Sequence, residues 1–182
     1  MIESEAYRLK KVIRRLLDFA RPSVLALEPL DLGGIVASAV ELARLDQRSR
    51  SVDIEVERDA GQPLVIHGDE DRLHEVTLNL IFNALDAIDT AGEVRLSLER
   101  HDHEATLKVS DNGAGIAAEH LSQIFEPFFT TKRDGAGTGL GLALAVSCVE
   151  AHGGTIMAHS DGAGRGACFE LSFPLSPEPQ PS

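Results

Sequence analysis

The chain has 182 residues, of which 43% are apolar, and a formal net charge of −12. This length suits a single sizeable hydrophobic core with one appended element. The acidic balance argues against nucleic acid or an anionic membrane surface as the main partner, because both repel a negatively charged protein.

Two features of the sequence indicate the cellular compartment. No signal peptide precedes the first charged segment, and no apolar run approaches the roughly 18 residues that span a bilayer. Cys148 and Cys168 lack metal-type spacing, so we interpret them as small apolar residues in a reducing compartment. We therefore expect a soluble, cytoplasmic chain that makes no membrane contact.

Residues 1–20 predict a charged amphipathic helix that ends before Pro22. The apolar stripe of this helix consists of Leu9, Val12, Ile13, Leu16, Leu17 and Ala20. The stripe requires a partner, which is either the main domain or other helices in a bundle or coiled coil. The break at Arg21-Pro22-Ser23 favours the second arrangement.

A first α/β unit follows this break. The pattern predicts an extended segment, a helix that Asp31 caps, and two short strands, at residues 24–29, 32–46, 52–57 and 64–67. The helix is expected to direct five apolar residues inward: Ile35, Val36, Ala39, Val40 and Leu42.

Residues 69–88 form the most informative stretch, a helix that is apolar on nearly every side and therefore buried. Glu75, Asn79 and Asn83 occupy positions i, i+4 and i+8 on one face, and Asp86 lies one turn beyond. Buried amides need partners, and carboxamide oxygens suit Mg²⁺, which keeps water or phosphate oxygens as its other ligands. A polar network that neighbouring backbone satisfies explains the same pattern.

Two alternating strands, at residues 93–99 and 106–110, precede Asp111. By the period of two, Asp111 lies on the same buried face as Leu107 and Val109. A carboxylate in this position can accept a hydrogen bond from an exocyclic amine such as that of adenine. The glycines of the following Asn-Gly-Ala-Gly segment would let a planar ligand approach the backbone. An Asx-type turn is the alternative interpretation.

An aromatic and basic segment comes next. Phe125, Phe128 and Phe129 are expected to anchor it to the core, while Lys132 or Arg133 is placed to reach a terminal phosphate. The segment leads into a glycine-rich run that opens a helix, where backbone N–H groups suit an anion. This run matches neither the Rossmann fingerprint nor the P-loop. The last predicted elements are a helix, two strands and a tail, at residues 140–152, 155–159, 167–175 and 176–182.

Four of these stretches, in this order, resemble the ATP-binding catalytic domain of bacterial sensor histidine kinases, in the superfamily of gyrase, Hsp90, histidine kinases and MutL. Residues 75–84 resemble its N box, 111–116 its first glycine box, 124–132 its F box and 137–142 its second glycine box. The Phe-Phe-Thr-Thr-Lys form of the F box is similar to the nitrogen-regulation type. Residues 16–22 resemble the end of the second helix of the dimerisation and phosphotransfer hairpin.

The resemblance implies a two-layer α/β sandwich, the Bergerat ATP-binding fold, in which three helices cover one face of a mixed sheet. The N-terminal amphipathic helix precedes this fold. Residues 1–22 would be part of the hairpin's second helix, residues 23–175 the ATP-binding catalytic domain, and residues 176–182 a disordered tail.

The resemblance also implies roles for individual residues, with ATP held between the central helix and a mobile lid. Asn79 and Asn83 would hold Mg²⁺, Asp111 would bond the adenine amine, and Lys132 would contact phosphate. Catalytic roles are expected for Asn79, Glu75 and Lys132. The expected nucleotide contacts are Asn79, Asn83, Asp86, Asp111, Gly113, Gly115, Ile116, Phe128, Thr130, Thr131, Lys132, Gly137, Thr138, Gly139, Leu140, Gly141 and Leu142.

The sequence departs from the superfamily pattern at three positions. In the ATP hydrolases a glutamate activates water at the position matched by Asn79, and an amide cannot act as a general base. We therefore expect transfer of the γ-phosphoryl group to a side chain rather than to water. Asp86 stands where some relatives carry a base, which leaves its role open, and Ala167 replaces a common threonine near the adenine.

The phosphorylated histidine of the family lies on the first hairpin helix, but none of the seven histidines lies in the N-terminal helix. We therefore expect the acceptor histidine to be absent from this chain. The implied partners are a histidine-bearing phosphotransfer helix and a response regulator, with a homodimer in the full-length kinase and no nucleic acid. A nucleotide-sensing binding module and an anti-sigma-type serine kinase, using the same site, remain open as alternatives.

Overall fold

The computed structural model describes residues 25–58, 63–132 and 137–176. Its strands are, in chain order, β1 Glu28–Asp31, β2 Val52–Arg58, β3 Val65–Gly68, β4 Gly92–His101, β5 Glu104–Asp111, β6 Thr155–His159 and β7 Ala167–Pro174. Its helices are α1 Leu32–Arg44, a 3₁₀ helix at Gln47–Ser51, α2 Glu70–Ala87, α3 Ala118–Leu121 and α4 Gly141–Ala151.

Five strands form one mixed sheet in the order β2-β4-β5-β7-β6. Strands β2 and β4 run parallel, and the other neighbours are antiparallel. The alternation predicted for the central strands is confirmed, since Val94, Leu96 and Leu107 are fully buried. The register pairs Leu96 with Val109 and Leu107 with Leu171, so apolar side chains of adjacent strands lie side by side on one face.

Helices α1, α2 and α4 form the second layer over this apolar face. Helix α2 packs against α1, α4 and β5, and it buries Leu80 and Ile81 completely. The outer face of the sheet carries paired charges instead, such as Arg95 with Glu55 and Glu57 at 3.7 and 3.3 Å. The predicted two-layer α/β sandwich, with helices on one face of a mixed sheet, is thus confirmed.

The start of α1 follows the predicted capping. Asp31 accepts a hydrogen bond from the Gly33 backbone N–H at 3.3 Å, which satisfies one of the free donors of the first turn. One residue of the predicted inward face of α1 is wrong. Leu42 is 47% exposed, and Ala43 is buried instead. Ala43 follows Ala39 and Val40 at helical spacing, so it continues their buried face.

Replacing Asp31 with Ala is expected to lower the free energy of unfolding by about 2 kcal/mol. Asp31 also accepts from the Leu64 backbone N–H at 3.0 Å and from Arg58 at 3.1 Å, so the change leaves several donors without an acceptor. Urea denaturation of the nucleotide-free protein measures the loss. Asp53→Ala, on the exposed side of β2, is the control, and an equal loss in both variants would contradict this account.

Two predicted segments, the N-terminal helix and most of the tail, lie outside the described residues. The division at residues 22 and 175 therefore stays a prediction. Within residues 25–58, 63–132 and 137–176, none of the helices combines the length and apolar character needed to cross a bilayer.

Candidate functional site

Helix α2 presents two amides and a carboxylate to a cavity. The helix begins at Glu70 because the Asp69 carboxylate accepts a hydrogen bond from the Arg72 backbone N–H at 3.2 Å. In the second half of the helix, the polar residues that line the cavity are Asn79, Asn83 and Asp86. The structure therefore brings together three of the four polar residues that the sequence placed on one face.

Glu75, the fourth of these residues, lies outside the cavity. Its side chain is 65% exposed and is 3.9 Å from Arg72. The prediction of one polar column that includes Glu75 is wrong in this respect. Each step of four residues rotates a helix by about 40° beyond a full turn, so Glu75 and Asn83 point about 80° apart and lie about 12 Å apart along the axis.

The cavity has a volume of about 760 Å³ and opens between α2, the ends of β5 and β7, and the segment before α4. Fourteen of the predicted nucleotide contacts line it: Asn79, Asn83, Asp86, Asp111, Gly115, Ile116, Thr130, Thr131, Lys132, Gly137, Thr138, Gly139, Gly141 and Leu142. Three further predicted contacts, Gly113, Phe128 and Leu140, do not line it. The aromatic, glycine-rich and strand-end segments thus converge on one site.

The Asp111 carboxylate lines the cavity together with apolar side chains. Ile124 and Phe169 line this cavity as well. Asp111 accepts a hydrogen bond from the Gly113 backbone N–H at 2.8 Å, so the Asx-type turn and the inward carboxylate occur together. Burial raises the pKa of Asp111 above its ordinary 3.8, and backbone hydrogen bonds from Gly113 and Ala167 partly offset that rise. A half-buried acceptor in a cavity with apolar lining suits the amine of a flat base.

Both glycines after Asp111 lie against other backbone segments, which leave no room for a Cβ. Gly113 lies against the end of α2, where an added Cβ would collide with the Ala87 carbonyl group. The neighbouring Ala114 N–H donates to that same carbonyl oxygen at 2.8 Å. Gly113 therefore makes room for a helix and not for a ligand, contrary to the prediction. Gly115 does line the cavity, but its φ of +68° and the adjacent Gly162 carbonyl oxygen are themselves sufficient reasons for glycine at this position.

Another part of the cavity lies where α4 begins against α2. A Cβ added at Gly141 would be 2.5 Å from Asn79 Oδ1 and 3.0 Å from Asn79 Nδ2, so glycine is what lets the helix start approach the amide. Asn79 Nδ2 is buried and has no hydrogen-bond partner among the described residues. Leu140 is fully buried and packs the helix start, which corrects its predicted role as a ligand contact. An unpaired donor beside a helix N-terminus favours an anion.

Four charged side chains form what we call the ion cluster: Asp46, Arg48, Asp86 and Lys132. Asp86 accepts from Lys132 Nζ at 2.6 Å and from Arg48 Nη1 at 2.8 Å, while Lys132 Nζ is 3.4 Å from Asn83 Oδ1. Burial raises the pKa of Asp86, but hydrogen bonds from Lys132 and Arg48 outweigh it and leave that pKa below its ordinary value. Hydrogen bonds from Arg48 lower the pKa of Asp46 to about 2.

The aromatic residues before α4 anchor this segment only in part. Phe125 packs edge-on against Phe169 at a centroid distance of 6.4 Å, and Phe129 lines the cavity. Phe128 is 62% exposed, so its predicted roles as an anchor and as a nucleotide contact are wrong here. Its backbone is left-handed, with a φ of 70°, and its N–H donates to the Gly139 carbonyl oxygen at 2.8 Å, which turns the ring outward.

Nine residues line the cavity without having been predicted as contacts: Asp46, Arg48, Phe82, Ala87, Ala114, Ile124, Phe129, Ala167 and Phe169. For most of the apolar residues in this set, the sequence pattern predicted that they are buried. It did not predict that they face this cavity. No sequence pattern indicated a role for Arg48 at the site, because it lies in a connecting segment 38 residues before its partner Asp86.

The donor set at the α2 end fits a hard cation that keeps most of its own ligands. Among the described residues, no group of three or more His, Cys, Asp or Glu side chains is arranged to hold a metal ion. Asn79 and Asn83 supply two carboxamide oxygens one helical turn apart, and the unpaired Asn79 amide leaves its donor for an anion. This combination suits Mg²⁺ bound largely through phosphate and water, rather than Zn²⁺.

Comparison with known proteins agrees with this site. The family described as Histidine kinase-, DNA gyrase B-, and HSP90-like ATPase matches residues 68–177. The chain is 38% identical over 176 residues to Sensor histidine kinase ZraS of Escherichia coli K12. That match includes 97% of this chain but 37% of ZraS, so the chain spans little more than a third of the length of this curated relative.

Solved structures give the same result. The full-length ShkA structure in complex with AMPPNP has a TM-score of 0.81 and 29% identity, over 93% of this chain and 36% of ShkA. Histidine kinase ThkA in complex with the response regulator protein TrrA has a TM-score of 0.80 and 26% identity, over 98% of this chain and 51% of that chain. The chain belongs to the histidine kinase-, DNA gyrase B- and HSP90-like ATPase family, as a domain of the sensor histidine kinase type.

Proposed function

We propose that this chain binds ATP with Mg²⁺ and transfers the γ-phosphoryl group to a histidine that the chain itself does not contain. The observation that carries the proposal is the Asn79 amide, which packs against Gly141 at the start of α4 and whose buried Nδ2 donor is unpaired among the described residues. The cavity that Asn79 lines also contains the Asp111 carboxylate and several apolar side chains, a combination that suits a base joined to phosphates.

Each wall of the cavity has a role in this proposal. Asn79 and Asn83 hold Mg²⁺, which neutralises phosphate charge and helps orient the phosphates when bound. Asp111 accepts a hydrogen bond from the adenine amine. Lys132 and the backbone N–H groups at Gly141 orient the phosphate oxygens. The other predicted contacts that line this cavity stay predictions as ligand contacts.

Transfer to a side chain, rather than to water, is favoured because Asn79 cannot act as a general base. The exposed Glu75 carboxylate, one turn before Asn79 on α2, is available to a group that arrives from outside. We assign it the proton that the attacking imidazole loses as its nitrogen bonds to the γ-phosphorus and ADP leaves. Glu75 thus keeps a catalytic role in the proposal, outside the nucleotide cavity.

The proposed partners are a histidine-bearing phosphotransfer helix and a response regulator, in a kinase that is a homodimer at full length. The likeness to ThkA, which is bound to the response regulator TrrA in its solved structure, supports the second partner. A requirement for ATP supports a cytoplasmic location without membrane contact. Nothing in the comparisons supports the binding-module or serine-kinase alternatives.

Incubation with radiolabelled ATP, Mg²⁺ and a hairpin that carries the acceptor histidine tests the proposal. We expect acid-labile phosphohistidine on the hairpin. Glu75→Gln is expected to keep its ATP affinity within about twofold and to slow transfer on the order of 100-fold. Glu70→Gln, also exposed on α2, is the matched control. Bound ATP without phosphohistidine would contradict the kinase assignment.

A further inference from the structure

Arg48 holds a fixed position at the cavity although it comes from a connecting segment. Its backbone N–H donates to Asp46 Oδ1 at 3.0 Å, which caps the 3₁₀ helix that contains it. Its guanidinium lies 4.3 Å from the centroid of the Phe82 ring on α2. Stacking on an aromatic face and a bidentate carboxylate contact both restrict the guanidinium, so Arg48 is preorganised at this wall.

The positive and negative charges of the ion cluster are equal in number. Two carboxylates, Asp46 and Asp86, face two cations, Arg48 and Lys132. Asp86 joins the two cations, since it accepts from Arg48 with one oxygen and from Lys132 with the other. A triphosphate that enters the cavity brings negative charge beside Asp86, so it repels that carboxylate and competes for the same two cations.

Arg48 retains donors for such a ligand. A guanidinium has five N–H groups, and three of those of Arg48 donate to Asp46 and Asp86. The other two have no hydrogen-bond partner among the described residues. Arg48 lines the same cavity as Asn79 and Asn83, and its planar donor arrangement suits phosphate oxygens.

We propose that Arg48 is an additional phosphate-contact residue of this site, and that Asp86 restrains Arg48 and Lys132 until a nucleotide phosphate replaces it. This inference rests on the proposed nucleotide binding and assigns opposite roles to two residues of one cluster. Arg48 favours binding, whereas Asp86 opposes it. In this proposal, Asp86 competes with the ligand and is not one of its contacts, in contrast to its predicted role as a nucleotide contact.

Calorimetric titration with adenosine, AMP, ADP and ATP, each with Mg²⁺, tests both roles. Arg48→Gln is expected to weaken ATP binding roughly 5- to 20-fold and to leave adenosine binding unchanged, since the lost contact is to phosphate. Asp86→Asn is expected to tighten ATP binding roughly 3- to 10-fold, because it removes the competing charge. The first nucleotide in this series that Arg48→Gln binds more weakly than the wild type does identifies the phosphate that Arg48 contacts.

Arg95→Gln is the matched control, because Arg95 also pairs with carboxylates but lies on the outer face of the sheet. Arg48→Lys is expected to recover part of the ATP affinity, as a charge effect requires. Equal ATP affinity in Arg48→Gln and wild type, or equal losses for adenosine and ATP, would overturn the assignment of Arg48. Weaker ATP binding by Asp86→Asn would overturn the restraint. If the wild type binds no nucleotide of the series, the proposed function itself fails.

Discussion

Asn83→Ala is expected to weaken binding of ATP with Mg²⁺ by roughly 10- to 100-fold and to leave metal-free ATP binding within about twofold. The variant removes one of two carboxamide oxygens that α2 directs into the cavity. A cation with few protein ligands loses a large share of its protein contacts when one is removed. Calorimetric titration with and without Mg²⁺ separates the two affinities, and their ratio is the quantity of interest.

The same variant is expected to fold as well as the wild type. Among the described residues, Asn83 has one long hydrogen bond, from Lys132 at 3.4 Å, so its removal costs little structure. Gln123→Ala, an exposed amide outside the cavity, is the matched control. An unchanged ratio of affinities with and without Mg²⁺ in Asn83→Ala would exclude this side chain as a metal ligand, whatever its effect on stability.

Asp111→Asn is expected to reduce the preference for ATP over GTP by roughly 10- to 100-fold. The carboxylate only accepts hydrogen bonds and so favours the adenine amine, whereas the amide also donates and tolerates the guanine oxygen. Competition between the two nucleotides measures the preference. Asp53→Asn, on the exposed side of β2, is the control, and an unchanged preference in Asp111→Asn would contradict the proposed base contact.

The pH dependence of this preference has a defined direction. Burial raises the pKa of Asp111 above 3.8, so as the pH falls the carboxyl takes up its proton earlier than an ordinary aspartate does. Adenine selectivity of the wild type should therefore decline at a pH above 3.8, and that of Asp111→Asn should not titrate there. A raised folded pKa also means that this ionised carboxyl destabilises the fold at neutral pH, so Asp111→Asn is not expected to lower stability at pH 7.

The local spacing of apolar and polar residues predicted most of the fold, because it depends on which face of each helix or strand is buried. Alternation placed Val94, Leu96 and Leu107 on a buried face, and all three are buried. Asp31 caps the helix that follows it, as predicted, whereas Asp69 caps α2 although the sequence had indicated it as the first residue of that helix. The errors lie at element ends, such as Leu42, where the last turn leaves the core.

The candidate site was predicted less completely, because some of its contacts join residues that are far apart along the chain. The contacts of Asp86 with Arg48 and Lys132 span 38 and 46 residues, and no periodicity reports a partner that far away. The same limit applies to Gly113, whose missing side chain accommodates α2, and to Phe128, which a backbone contact with Gly139 turns outward.

The sequence by itself therefore determined the sandwich, the cap of α1, and the direction of Asn79, Asn83 and Asp111, since these depend on local spacing and burial. The tertiary structure alone decided which side chains meet across the cavity. It brought Arg48 beside Asp86 and moved Glu75 outside, because the packing of α2 against its neighbours sets distances and rotations that spacing along one helix does not contain.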